Sequence, residues 1–266
     1  MHRVSRGRPP LTVLYAFGVN GPARPLDGGQ GTSWAAGDVV LKPDGDPLHE
    51  WLAGALADVR PDGFRLATPV GTRDGAWIFE GWSATRWVPG SEPDYSREST
   101  WREILTAGRA FHRAVAHLDR PDVLDARQDW WARADRAVWG ERDIRFRPEF
   151  AALARRLQGA LEPLGHPQIV HGDLTNNVLF APGLAPAVID ISPYWRPPAY
   201  AEGIVVADAL CWHDAPASLW DTVDVPVAAV ARALLFRMAT TNERIGSVEM
   251  RDEARRYEVA AAAIGL

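Results

Sequence analysis

The chain has 266 residues, 47% of them hydrophobic and 24% charged, and a formal net charge of -5. That length suits one large domain or two lobes sharing a cleft, and the balance excludes a disordered chain. Without a long basic run, nucleic acid is not expected as a partner, because a phosphate backbone demands a concentrated positive face.

The N-terminal MHRVSRGRPP is basic, but no apolar core of leader length follows it. No stretch is long enough to span a bilayer, so no membrane partner is expected. The single cysteine, Cys211, lies between Leu210 and Trp212 and reads as a buried thiol. With no intrachain disulfide possible, a cytoplasmic setting is expected. The 12 tryptophans read mainly as packing pieces and cleft walls.

A short helix is expected over 10–18, entered through Pro9-Pro10. RPLDGGQGTSWAAGDVVLKP then reads as strand, Gly-rich turn, strand, Gly-Asp turn, strand. Over 47–59, Trp51, Leu52, Ala55, Leu56 and Val59 form an apolar stripe at helical spacing behind Pro47. Two more strands fit 64–70 and 76–82. Turn formers concentrate in 80–96, where the hinge is expected, with the backbone of 80–83 meeting a purine. Helices are expected over 98–118, 125–139, 147–161, 202–213, 225–243 and 249–263. A sheet-rich first third before a helical remainder gives an α+β fold of two lobes, 1–82 and 83–266.

The chemistry concentrates in IVHGDLTNNVLF, residues 169–180, and AVIDIS, residues 187–192. An Asp, an Asn and a second Asp lie at short intervals on two apolar segments. Phosphoryl transfer from a nucleotide needs one carboxylate to orient the attacking hydroxyl, and an amide oxygen with another carboxylate to hold Mg²⁺ at the phosphates. Those roles fall to Asp173, Asn177 and Asp190, with Asn176 the rival of Asn177. Asp190 would otherwise be a strand-end acid capping a turn with Ser192. Upstream, GGQGTS places Gly28, Gly29 and Gly31 beside Thr32 and Ser33, a backbone able to approach phosphate oxygens. Taken alone it reads rather as an ordinary hairpin turn. His171 reads as a hydrogen-bonding brace of the loop, and His112 and His117 as helix surface or interface residues. Arg196 is left open between an anion contact and a fork onto a carboxylate. Asp119, Asp122, Asp125 and Asp129 cluster in the manner of a polycation site, or of a solvated helix approach.

HGDLTNNVLF resembles the catalytic loop of the aminoglycoside phosphotransferase and choline kinase-like group, a branch of the protein-kinase fold. AVIDIS resembles its metal-binding strand, and the likeness spans about 24–215. Overall the chain looks most like an actinobacterial subgroup of that family. The resemblance implies a protein-kinase-like fold with a small β-rich N-lobe and a larger helical C-lobe. It implies an Mg²⁺- and ATP-dependent phosphotransferase (GTP being possible) acting on a small-molecule hydroxyl. It also implies that Lys42 reaches the nucleotide phosphates, that Glu50 pairs with Lys42, and that Asp208 supports His171 or the backbone beside it. One departure stands out: the family places five steps between the loop Asp and Asn, whereas Asp173 and Asn177 are four apart. That shortening motivates the alternative of a nucleotide-binding pseudokinase with a sensing or scaffolding role. The acceptor and the oligomeric state are not legible.

Overall fold

The computed structural model describes residues 7–26, 31–243 and 250–266. The small lobe begins with α1 (Leu11–Ala16) and an antiparallel sheet in the order β1-β2-β3-β5: β1 (Arg24–Pro25), β2 (Trp34–Ala36), β3 (Val39–Lys42) and β5 (Ser83–Arg86). Val39 and Leu41 are buried while Val40 and Lys42 are not, as the two-residue period of a strand requires. The buried side packs with Val13, Leu14, Phe17, Trp82 and Ala84 into a compact apolar cluster. Lys42 leaves on the other face.

α2 (Pro47–Ala57) starts sharply because Asp46 caps it, accepting from the His49 N–H at 2.9 Å, with Pro47 in the first turn. β4 (Arg65–Leu66) does not join the small sheet. It pairs in parallel with β8 (Ala187–Val188), which pairs antiparallel with β7 (Val178–Leu179), and so ties the first third of the chain to the strand preceding Asp190. The strand expected over 76–82 is not formed. Phe79 and Trp82 exchange backbone hydrogen bonds around Glu80 and Gly81, both at positive φ. Glu80 also accepts from Thr12 of α1 at 3.1 Å. This segment, expected to meet a purine, is a tight turn leading into β5. The fourth strand of the small sheet therefore lies beyond residue 82.

The larger part is helical: α3 (Glu98–Ala114), α4 (Trp130–Val138), α5 (Pro148–Gly159), α6 (Pro198–Trp212), α7 (Val227–Glu243) and α8 (Met250–Ala263). α6 and α7 form its centre, both mostly buried. Their backbones touch closely at Gly203, where a Cβ would lie 2.4 Å from the Ala229 carbonyl oxygen. No residue larger than glycine fits there. β6 (Gln168–His171) and β9 (Pro193–Arg196) pair antiparallel, with His171 opposite Pro193. Ile169 and Val170 are fully buried and hold β6 so that its end delivers the 172–177 loop to the surface. The helices of the sequence reading are all present. α4 is shorter because Asp129 caps it, accepting from the Ala132 N–H.

Candidate active site

The loop after β6 is built around His171, which is fully buried. Its Nδ1 accepts from the N–H groups of Asp173 (3.2 Å) and Ser192 (3.3 Å), and its Nε2 donates to the Ile189 carbonyl (3.2 Å). Only the neutral tautomer with the proton on Nε2 satisfies all three. Burial holds the imidazole down at about 4. One ring thus fixes both the segment entering Asp173 and the one flanking Asp190. His112 of α3 lies beneath it. Its Nε2 accepts from the His171 N–H at 3.1 Å, and burial keeps it neutral, down to about 3. His112 is no surface residue; it belongs to the support of the loop.

Asn176 has φ of +67° and its N–H donates to the Tyr95 hydroxyl. Asparagine tolerates this left-handed turn better than most residues, and it closes the loop: the Asn177 N–H donates to the Leu174 carbonyl at 3.0 Å. Asn177 Nδ2 donates to the Asp173 carbonyl at 2.7 Å and lies 3.4 Å from Asp173 Oδ2. Asp173 and Asn177 are thus in direct contact. Burial pushes the Asp173 carboxyl up to about 6, against the opposing pull of Arg237.

Across the cleft, Lys42 Nζ of β3 lies 2.6 Å from Asp190 Oδ1. Asp190 has φ of +50° and its side chain is 52% exposed, open to solvent beside Lys42. Burial opposes its charge, yet Lys42 beside it keeps the carboxyl below its usual value. The Asp190 carboxylate and the Asn177 amide oxygen are hard oxygen donors, the type Mg²⁺ takes together with phosphates and waters. The donor set fits that ion.

Several expectations need correction. Glu50 is exposed on α2, lining an open groove with Trp51, Leu118 and Asp119. It makes no ion pair among the described residues, and Lys42 pairs with Asp190 instead. The α2 residue nearer this site is His49, held by Asp46 (2.8 Å) and Asp44 (3.3 Å). Burial works against its charge, but those carboxylates raise its pKa. Asp208 does not reach His171; it is forked by Arg237 of α7. Arg196 resolves as a fork onto Asp135, with a further bond to Glu141. Gly28 and Gly29 lie outside the described residues. Gly31 sits at φ +66°, and the Leu26 N–H donates to the Ser33 carbonyl, closing the hairpin that carries Thr32. Cys211 is buried, as expected. No helix among the described residues is long and apolar enough to cross a membrane.

The sequence reading passed over His49 and Arg237 and took His112 for a helix surface or interface residue. Arg237 carried a signal: a lone cation in the apolar run LLFRMAT calls for a buried acid, and IVVADAL holds one. His112, in AFHRA, offered none.

No curated protein matches the sequence. Among solved structures, an aminoglycoside phosphotransferase from Alicyclobacillus acidocaldarius is 18% identical, with 99% of this chain and 95% of that one covered and a TM-score of 0.60. A choline kinase from Streptococcus pneumoniae is 12% identical, covering 96% of both chains at a TM-score of 0.55. The aminoglycoside phosphotransferase APH(4)-Ia, in ternary complex with ADP and hygromycin B, is 14% identical, with coverages of 96% and 97% and a TM-score of 0.55. At these identities the likeness speaks for the fold, which is protein-kinase-like. The model of the phosphotransferase enzyme family matches residues 41–192, from β3 through the Asp190 segment, and the chain belongs to that family.

Proposed function

We propose that this protein transfers the γ-phosphoryl group of ATP, carried with Mg²⁺, to a hydroxyl of a small molecule in the cytoplasm. The observation that carries the reading is the 2.6 Å approach of Lys42 to Asp190, with Asp173 and Asn177 in contact on the neighbouring loop. In this reading Lys42 binds the α- and β-phosphates, and the Gly31–Ser33 turn approaches them from above. Asn177 and Asp190 hold Mg²⁺, which when bound neutralises charge on the phosphate oxygens. The acceptor oxygen forms its bond to the γ-phosphorus as the bond to the bridging oxygen breaks. ADP leaves with that electron pair, and the hydroxyl proton passes to Asp173. A carboxyl poised near 6 is ionised in most molecules at neutral pH and can take a proton late in the step. We place the passage between lobes at 87–91: Trp87 still bonds to Asp38 of the small lobe, whereas Ser91 bridges to Phe180.

The test is ATP consumption by the wild type and Asp173→Ala over a panel of hydroxyl compounds, with Mg²⁺ present and chelated. Turnover that requires Mg²⁺ and Asp173 supports the reading. The shortened loop keeps a second reading in play, a nucleotide-binding sensor without transfer. Mg²⁺-dependent stabilisation by ATP with no turnover on any acceptor supports that one instead. No stabilisation by nucleotide at all sinks both.

A further inference from the structure

Asp208 sits in the middle of α6 between residues that are almost fully buried, and is itself 4% exposed. Arg237 of α7 meets it fork to fork, Nε to Oδ1 at 2.7 Å and Nη2 to Oδ2 at 2.6 Å. That contact alone balances the charge of both groups. Such a buried pair is weak evidence for stability, since apolar residues of similar volume often serve the fold as well. The third contact is the informative one: the same Nη2 lies 3.4 Å from Oδ1 of Asp173. The other oxygen of Asp173 faces the Asn177 amide. The Asp173 carboxylate is therefore held at both oxygens, by α7 on one side and by its own loop on the other.

Resting on the phosphotransferase reading, we propose that Arg237 is a positioning residue for the transfer step: anchored by Asp208, its guanidinium fixes Oδ1 of Asp173 and so aims Oδ2, which has only the long 3.4 Å contact to the Asn177 amide, at the acceptor hydroxyl. The anchoring is rigid because α6 and α7 are in backbone contact at Gly203, so the fork cannot drift without moving both helices. A planar guanidinium serves two carboxylates with separate N–H groups, where an ammonium offers one point.

The experiment exchanges the buried pair for apolar residues, Asp208→Leu with Arg237→Met, so that no charge is stranded. Mg²⁺-ATP affinity, melting temperature and steady-state kinetics are then measured. Wild-type turnover on the acceptor panel is established first; its absence sinks the phosphotransferase reading and this inference with it. With turnover present, the double variant is expected to melt near the wild type and to keep the KM for ATP within about twofold. Its kcat should fall about 10- to 100-fold, the scale of an ångström misplacement of a catalytic group. Arg237→Lys, which keeps a cation near the two carboxylates but offers one point in place of the fork, should recover only part of that loss. In an Asp173→Ala background the same exchange should change kcat less than about twofold, because the residue through which Arg237 acts is gone. A double variant that folds and retains wild-type kcat overturns the proposal. So does a loss seen in the KM for ATP, or a lysine variant no better than the apolar one. Should the double variant fail to fold, Arg237→Lys and Asp208→Asn are read by the same division between kcat and KM.

Discussion

Replacing His171 by leucine is the most direct test of how the catalytic loop is held. The imidazole is fully buried and bonds three backbone groups: the N–H of Asp173, the N–H of Ser192 and the carbonyl of Ile189. Leucine fills much of the same volume and bonds none of them. Each backbone group left buried without a partner costs about 1–3 kcal/mol, so three cost about 3–9. Burying an aliphatic side chain in place of the ring returns about 1 kcal/mol, and relaxation of the loop trims the high end. The expected loss is about 2–6 kcal/mol, a large share of the roughly 5–15 available to a domain. Urea unfolding at pH 7.5, followed by tryptophan fluorescence, measures it as a lower midpoint at unchanged slope. A loss under about 1 kcal/mol with the slope preserved would refute the claim that His171 braces both loop segments by hydrogen bonds.

Stability should also fall as pH drops from about 6 to 4. Burial keeps His171 and His112 unprotonated down to about 4 and about 3, while both gain protons near 6.5 in the unfolded chain. His213 is lowered and Asp135 raised, which oppose each other, and Asp173, raised to about 6, works against the two buried imidazoles. The unfolded state then binds about one proton more, and about 1.4 kcal/mol is lost per pH unit; a urea midpoint flat or rising over that window contradicts the assignment. Lys42→Met should alter stability by only about 0–1 kcal/mol, because its ion pair is part-exposed. It should nonetheless weaken Mg²⁺-ATP binding at least about tenfold by calorimetry, the loss of a charge-assisted bond; equal affinity removes Lys42 from the site. Glu50→Gln should leave stability within about 0.5 kcal/mol and nucleotide affinity within about twofold, and a tenfold loss would reinstate the pairing that the geometry does not show.

The chemistry was legible in the sequence where an unusual residue type interrupted an apolar frame. Asp190 ending AVID and Asp208 within IVVADAL each signalled a cost that only a partner or ligand offsets, and Lys42 ending VVLK stood out as a lysine in an arginine-rich chain. What sequence could not show was which partner each would find. Lys42 was expected against Glu50, yet α2 turns Glu50 outward, because Leu52 and Leu56 define its inward side and Asp46 sets where the helix starts. Asp208 was expected beneath His171, but the ring already has its three backbone partners and Arg237 lies within reach across the α6–α7 contact. The strand expected over 76–82 failed for a local reason: Glu80 and Gly81 both take positive φ, which makes 79–82 a reversal and moves the strand to Ser83–Arg86. Periodicity reports faces and lengths; pairings between elements depend on packing that one chain does not spell out.

The charges along the helical flank bear on what the acceptor is. Four aspartates at 119, 122, 125 and 129 suggested a landing site for a polycation. Two of them are committed internally: Asp125 pairs with Arg120, and Asp129 caps α4 and pairs with Arg127. Further along, Asp135 and Glu141 are both taken by Arg196, and Glu243 by Arg133 and Arg142. The cavity of about 160 Å³ beside β9 is lined by Arg120, Arg127, Arg136 and Arg196 against Asp125, Asp135 and Glu141, a surplus of one cation. Attraction of a polycation requires a field of one sign, and these carboxylates are already matched. Kanamycin should therefore bind no tighter than about 1 mM at 0.15 M salt, a binding free energy of about -4 kcal/mol, and should not compete with a neutral or anionic acceptor. Calorimetry in 0.02 M and 0.15 M salt decides it: micromolar binding that weakens steeply with salt would show that Asp119, Asp122 and the arginine-held acids present a negative face after all.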